Sequence, residues 1–375
     1  MANGAIRLLF VLGTRPEVIK MAPVVRAARE DSRFTPTLLH TGQHRELAEE
    51  MFRIFETPPD INLEVMEPNQ TLFSVSTRLM ERLNEVFALN RYDLILVQGD
   101  TTTAFLGALA GYYTKTPIGH VEAGLRTFDK FSPYPEEMNR RLTGVLADIH
   151  FPPTEKAREN LLREGVPQDR IHVTGNTVID ALLWALKRPY EPSEFLSNLY
   201  KRQTRLVLIT THRRESFGEP HRRVFQAFRE IADSHPDTEL LFPVHPNPNV
   251  RAQVSELLGH HPRIHLCAPL GYLDFLHAME RATLILSDSG GVQEEAPSLK
   301  KPVLVLRDHT ERPEGVQSGA LKLVGTDRDL IVQEAHRLLS DPQAYAAMIA
   351  NPNPYGDGQS SRRILDSISA FLQRP

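Results

Sequence analysis

One pattern runs the length of this chain and limits what it can fold into. Short runs rich in Val, Ile and Leu end in polar clusters, and an amphipathic stretch follows each. IRLLFVLG leads into TRPEVIKMAPVVRAARE, TPTLLHTG into QHRELAEEMFRIF, and DLILVQGD into TTTAFLGALAGYYT. PIGHVEAG, DIHFPPT and IHVTG continue the series. After a polar, Pro-containing stretch at 188–203 it restarts with RLVLITTH, ELLFPVH, IHLCAPL, ATLILSDSG and PVLVLRD. Strands alternating with helices imply parallel sheets in α/β layers. Nearly continuous apolar runs suit strands buried on both faces. At 375 residues the chain is long for one core. Two doubly wound domains are expected, with the break near residue 185.

Composition narrows the function class. A formal net charge of -4 gives no sign of a nucleic-acid binder. The single cysteine, Cys267, excludes a disulfide framework and a cysteine-based metal site. The first apolar run is too short for a secretory signal, and no run reaches the roughly 18 apolar residues a membrane span needs. A cytoplasmic protein without a membrane partner is expected.

In open α/β sheets the ligand sits at the carboxyl ends of the strands. Here those ends read GTRPE, HTGQH, QGDTTT, HVEAGLRT, TTHRRES, PVHPNP and SDSGG, dense in Arg, His, Asp and Glu. Arg15 and Lys20 flank the first helix start, Arg213 follows a strand, and Arg312 lies in the loop RDHTERPEG. Guanidinium forks and helix N-termini suit phosphate oxygens, so a phosphate ester is the expected ligand. In SDSGGVQEEAP, Gly290 and Gly291 let the backbone approach an anion. Pro297 falls too far along to start that helix. Asp100 precedes three threonines and could be a helix cap. Glu122 lies between two glycines with no capping duty. Glu136 and Glu137 open a helix, where acids are common. His212 ends a strand. Together Asp100, Glu122, Glu136 and His212 suit acid and base work around one centre.

Several chemistries drop out. There is no G-x-G-x-x-G after the first strand and no Walker sequence. A G-x-S-x-G elbow is also missing. The 15 histidines show no H-E-x-x-H spacing.

The motifs as a set resemble the non-hydrolysing UDP-N-acetylglucosamine 2-epimerases. They are GTRPEVIKMAPVV (13–25), HTGQH (40–44), VQGDTTT (97–103), GHVEAGLRT (119–127), PYPEEMNRR (133–141), TGNTVIDAL (174–182), THRRES (211–216), PVHPNP (243–248), SDSGGVQEEAP (287–297), ERPEGV (311–316) and NPYGDG (353–358). The resemblance implies a glycosyltransferase-B-like pair of Rossmann-like domains facing across a cleft. The first would be 1–185 plus a returning helix at 359–375, and the second, UDP-binding, 186–358. It implies interconversion of UDP-GlcNAc and UDP-ManNAc through 2-acetamidoglucal and UDP, with no cofactor and no metal, in a homodimer. Asp100, Glu122, Glu136 and His212 match the family's catalytic positions. Arg15, Lys20, Arg140, Arg213, Ser289, Gly290, Gly291 and Arg312 would bind substrate, and Glu295 the ribose hydroxyls.

Several bacterial members of that family use UDP-GlcNAc as an activator at a neighbouring site. Gln43, His44 and His245 fit such a role, with Arg213 and Glu136 beside them. Glu46 and Asn69 depart from the regulated pattern, where glutamine and arginine are usual. Alternatives on the same residues are an epimerase for a modified UDP-sugar, such as a diacetamido uronate, and a retaining glycosyltransferase. A hydrolysing epimerase and a sugar-nucleotide sensor fit less well, since no kinase domain is present and all four catalytic positions are filled.

Overall fold

A computed structural model describes residues 4–42, 45–67, 70–211, 218–245 and 247–373. The chain divides into two compact units, 1–185 with 355–375, and 186–354. The first unit carries strands β1 (Ile6–Leu12), β2 (Phe34–His40), β3 (Ile61–Asn62), β4 (Leu94–Gln98), β5 (Ile118–Val121) and β6 (Ile149–Phe151). The second carries β7 (Arg205–Thr210), β8 (Thr238–Pro243), β9 (Ile264–Cys267), β10 (Leu284–Ser287), β11 (Val303–Val305) and β12 (Leu321–Leu323).

All neighbouring strands in both sheets pair in parallel. The first sheet is ordered β3-β2-β1-β4-β5-β6 and the second β12-β11-β10-β7-β8-β9. Counted from the start of its own unit, the second order is 6-5-4-1-2-3, the first order written backwards. Both sheets are therefore the doubly wound type, as in two-domain glycosyltransferase-B-like proteins. The winding reverses between β1 and β4 in one and between β7 and β10 in the other, and a crevice opens at the carboxyl end of such a reversal. Leu8–Phe10 stand against Leu94–Leu96 there, and Leu284–Ser287 against Val207–Thr210.

The sheets are buried on both faces, as their unbroken apolar runs require. In the first unit Leu9, Val11, Ile95 and Val97 meet Leu79, Leu83 and Phe87 of the helix Leu72–Leu89. The helix Thr102–Thr114 lies close on the sheet because its inner face is Ala104, Gly107, Ala108 and Gly111. A Cβ at Gly107 would stand 3.1 Å from both Val11 and Val97, and one at Gly111 2.8 Å from Ile95. The second core gathers Val207, Ile209, Phe242 and Leu286 with Phe225 and Phe228 of the helix Glu219–Ser234.

The final helix, Ser360–Leu372, packs on the helices Arg15–Glu30 and Thr177–Ala185 and buries Ile364, Leu365 and Ile368. Its first N–H groups need acceptors. Asp180 supplies them, accepting from Ser360 N at 3.2 Å and Ser361 N at 2.8 Å. A carboxylate is well placed at that positive end.

Three local features depart from the sequence reading. The run IHVTG forms no strand; Ile171 makes a single bridge to His150 before the chain turns. Beside a strand of only three residues there is little ladder to extend. β3 and β12, two and three residues long, are too short to show a period. Pro297 does not sit inside the helix Gly290–Glu295. That helix ends before it, and Pro297 opens a 3-10 turn, Ala296–Leu299, where its fixed φ and missing N–H cost nothing. Among the described residues no helix is long and apolar enough to cross a membrane.

Candidate active site

The first unit's polar groups converge where its sheet winding reverses. β1 ends into the helix Arg15–Glu30, and β4 ends into Gly99, Asp100 and Thr101. Glu17 ties the two ends together. Its Oε2 accepts from Gly13 N at 3.1 Å and Thr14 N at 2.6 Å, and its Oε1 accepts from the Thr101 hydroxyl at 2.8 Å. Burial pushes the Glu17 carboxyl up to about 7, against the pull of those hydrogen bonds. The Thr101 hydroxyl also accepts from Ala104 N at 3.0 Å, so Thr101, and not Asp100, caps the following helix.

Freed of capping, the Asp100 carboxylate turns to Arg140, whose Nη2 stands 2.7 Å from Oδ2. Burial pushes the Asp100 carboxyl above its ordinary range. Arg140 and Lys20 oppose this, while Glu122 and Glu136 add to it. Asn139, one residue before Arg140, donates to the Asp100 carbonyl at 3.0 Å. The helix Glu136–Leu146 thus holds the Asp100 main chain and side chain together.

Glu122 follows β5 in a left-handed conformation, φ 61°. Its N–H is spent on Phe151 O at 3.0 Å. Its carboxylate, almost wholly buried, accepts from Lys20 Nζ at 2.7 Å to each oxygen, from Asn176 Nδ2 at 3.1 Å, and from Gln98 Nε2. Two residues earlier, His120 donates from Nε2 to Gly99 O at 2.8 Å. Burial holds that imidazole neutral, lowering its pKa to about 3. Glu137 accepts from Thr127 N and Phe128 N and approaches Arg140, so it orders the loop before its helix. Glu136 differs: its Oε2 is buried with no hydrogen-bond partner among the described residues. The same holds for Nε of Arg15, the first residue of its helix. Open buried polar atoms also occur elsewhere among the described residues, at Thr57, Tyr200 and Arg263 for example, so Glu136 and Arg15 stand out by their place at this sheet end and not by the open atom itself.

The second unit's site also forms at its winding reversal. The Ser287 hydroxyl lies 2.6 Å from Thr210 Oγ1 and accepts from Ser289 N at 3.0 Å, fixing the turn after β10. Gly290 and Gly291 open the next helix. A Cβ at Gly290 would sit 3.5 Å from the Arg312 guanidinium. Arg312 is aimed there by Glu294, whose Oε1 accepts from its Nε at 2.7 Å. Gln293 bridges Ser289 O and Thr310, and Thr310 in turn accepts from Arg312 N. Glu295 is buried on the same short helix. His245 is exposed past β8, and its Nδ1 accepts from Asn247 N at 3.2 Å.

Of the sequence-predicted residues, Lys20, Asp100, Glu122, Glu136 and Arg140 are brought together in the first unit, and Arg15 starts a helix at the same sheet end. Ser289, Gly290, Gly291, Glu295 and Arg312 are brought together in the second. Gln43, His44, His212 and Arg213 lie outside the described residues, as does Asn69, and so does the Glu46 side chain. Glu17, Gln98, Asn176 and Glu294 were missed as supports. For Glu17, Gln98 and Glu294 the signal was adjacency to a residue already singled out; Asn176 lies in TGNTVIDAL, a motif to which no role had been given.

Comparison with known proteins gives one answer. The UDP-N-acetylglucosamine 2-epimerase family model matches residues 26–369. A UDP-N-acetylglucosamine 2-epimerase of Yersinia pestis is 50% identical over 368 residues, covering 96% of this chain and 98% of its own. That of Escherichia coli strain K12 is 49% identical with the same coverage. The crystal structure of UDP-GlcNAc 2-epimerase from Neisseria meningitidis bound to UDP-GlcNAc superposes with a TM-score of 0.85 at 43% identity, covering 97% of this chain and all of that one. With both sites standing at the sheet reversals, and with relatives this similar over nearly the whole length, the chain belongs to the UDP-N-acetylglucosamine 2-epimerase family.

Proposed function

We propose that the protein interconverts UDP-GlcNAc and UDP-ManNAc by eliminating UDP and adding it back. The C2 proton of the sugar has no neighbouring carbonyl and is poorly acidic. Cleaving the anomeric C–O bond changes that. The electron pair leaves with UDP, positive charge develops at C1, and the C2–H pair moves in to form the C1=C2 bond of 2-acetamidoglucal. The proton goes to a carboxylate. A proton delivered to the opposite face of C2, with UDP returning to C1, yields the epimer.

The gathering of Asp100, Glu122 and Glu136 around Lys20 and Arg140 carries this reading. Two proton transfers on opposite faces need more than one carboxyl group, held in different environments. Asp100, whose carboxyl is pushed by burial above its ordinary range, is suited to take up and return a proton. Glu122, held by three donors, is fixed where a carboxylate can face developing positive charge. In the second unit the Ser289–Gly291 turn and Arg312 suit the diphosphate, and Glu295 the ribose hydroxyls. Arg15, His212 and Arg213 have the residue types that suit a leaving diphosphate. Fixed charges of this kind are worth on the order of 3 kcal/mol each in a closed site. Substrate labelled with 18O in the bond between C1 and the β-phosphate tests the step. C–O cleavage lets the label scramble into non-bridging positions. Label that stays in place while the epimer also keeps its C2 hydrogen in D2O rules elimination out.

A homodimer is also proposed, through the first unit. Leu89, Tyr112, Tyr113 and Val145, each more than 60% exposed, lie near the carboxyl ends of the helices Leu72–Leu89, Thr102–Thr114 and Glu136–Leu146, the middle one packed on each of the others. Large exposed apolar side chains gathered on one group of helices support an association site there. Sedimentation of Tyr113→Glu should show a shift toward monomer. An unchanged dimer would place the interface elsewhere, and a monomeric wild type would end the proposal.

A further inference from the structure

Two motifs, TGNTVIDAL and NPYGDG, have no part in the chemistry above, yet they meet each other and reach Glu122. Gly175, at φ 85°, stands where a Cβ would lie 3.1 Å from the Gly356 Cα and 2.9 Å from the Ser360 hydroxyl. The backbones touch, and only glycine fits there. The next residue, Asn176, donates its N–H to Tyr355 O at 2.6 Å. Its side chain is 3% exposed and works in two directions. Oδ1 accepts from Val178 N at 3.1 Å at the start of the helix Thr177–Ala185, and Nδ2 donates to Glu122 Oε1 at 3.1 Å.

We propose that Asn176 is a positioning residue that orients the Glu122 carboxylate, and that the returning segment at Tyr355–Gly356 sets its register. The inference rests on Glu122 being catalytic. The groups facing that carboxylate come from separate elements. Lys20 lies on the first helix, Gln98 at the end of β4 and Asn176 ahead of the helix Thr177–Ala185, with the Asp100 charge close by and Arg140 and Glu136 around Asp100. Lys20 spans both oxygens and cannot by itself choose one carboxylate rotation. Asn176 on Oε1, with Gln98 on Oε2, supplies that choice. Its backbone is in turn held by a segment far away in sequence, so the chain's last stretch takes part in building the site.

Asn176→Asp separates the two duties of the side chain. The aspartate keeps the acceptor for Val178 N but loses the donor, and it sets a second carboxylate against Glu122. The variant should stay folded, since the helix start is retained, with a melting temperature lowered more at neutral than at acid pH by the second buried carboxylate. Its kcat should fall on the order of 10²-fold, the loss expected when a reacting group is misplaced, with KM changed only a few-fold. The acidic limb of its kcat–pH profile should move to higher pH, because two adjacent carboxylates ionise reluctantly. Gly356→Ala should lower kcat in the wild-type background and have less effect in Asn176→Asp. Glu122→Gln, measured alongside, separates the two levels of inference. Full activity in Glu122→Gln removes the catalytic role on which this rests. An inactive Glu122→Gln beside an Asn176→Asp with wild-type kcat and pH profile overturns the positioning role, as does a low melting temperature with an unmoved limb. Additive effects of Gly356→Ala and Asn176→Asp overturn the part given to the returning segment.

Discussion

Lys20 Nζ stands 2.7 Å from each carboxylate oxygen of Glu122, with the lysine side chain 17% and the glutamate 6% exposed. An ion pair this dry is costly to break on one side only. Removing the cation leaves a buried carboxylate uncompensated, at about 3–5 kcal/mol. Lys20→Met should therefore lower stability by that order and abolish epimerisation. The double variant Lys20→Met with Glu122→Gln should recover much of the stability and none of the activity. Denaturant titrations and epimerase assays on the three variants check this. Equal stability of Lys20→Met and wild type would show that the pair is not needed to hold the charge.

Arg140 lowers a carboxyl that burial raises. Its Nη2 lies 2.7 Å from Asp100 Oδ2, and its charge opposes the desolvation that pushes Asp100 above the ordinary range. Arg140→Met removes the opposing charge, so the Asp100 pKa moves further up. The limb of the kcat–pH profile set by Asp100 must then move to higher pH, whether Asp100 acts as base on the acidic side or as acid on the alkaline side. A limb that moves down would mean that another group sets it.

The ligand end of each sheet was legible because it follows from strand order, and strand order follows from alternating apolar runs. The charged clusters that close β1, β4, β5 and β10 were likewise visible as breaks in those runs. Partnerships were not. Lys20 and Arg312 were singled out as cations for phosphate, but the carboxylates that hold them, Glu122 and Glu294, were not foreseen. Lys20 and Glu122 are 102 residues apart, and no local pattern encodes a contact at that separation. Asp100 as a helix cap was a reasonable reading of an acid before threonines. Thr101 takes that duty because its hydroxyl can serve both Glu17 and Ala104. β3 and β12 escaped because two or three residues carry no period.

Glu17 gives stability a pH dependence of known sign. Its folded pKa, about 7, lies above the ordinary 4.5, so the folded state binds more protons than the unfolded one between those values. The contribution is full below about pH 4.5 and is lost as pH rises through about 7. Glu17→Gln keeps an acceptor for Gly13 and Thr14 but has no proton to lose. The stability of wild type relative to Glu17→Gln should fall by about 3 kcal/mol across that window, at 1.36 kcal/mol per pKa unit. Chemical denaturation at a series of pH values measures it. A flat difference would show that Glu17 is ionised throughout.

The returning helix depends on Asp180, whose two oxygens serve Ser360 N and Ser361 N. Loss of a helix-end acceptor costs about 1–2 kcal/mol. Asp180→Ala should lower unfolding stability by that amount and speed hydrogen exchange in 360–372 more than in the sheet core. Exchange unchanged in that segment would mean that the apolar contacts of Ile364, Leu365 and Ile368 suffice to dock it.

The most direct test of the account is proton NMR of UDP-GlcNAc incubated with the protein in D2O without added nicotinamide cofactor or metal. Elimination and re-addition predict UDP-ManNAc signals with deuterium at C2, and deuterium entering the C2 position of recovered UDP-GlcNAc as equilibrium is reached. Epimer that keeps its C2 proton, or free ManNAc and UDP in place of epimer, would contradict it.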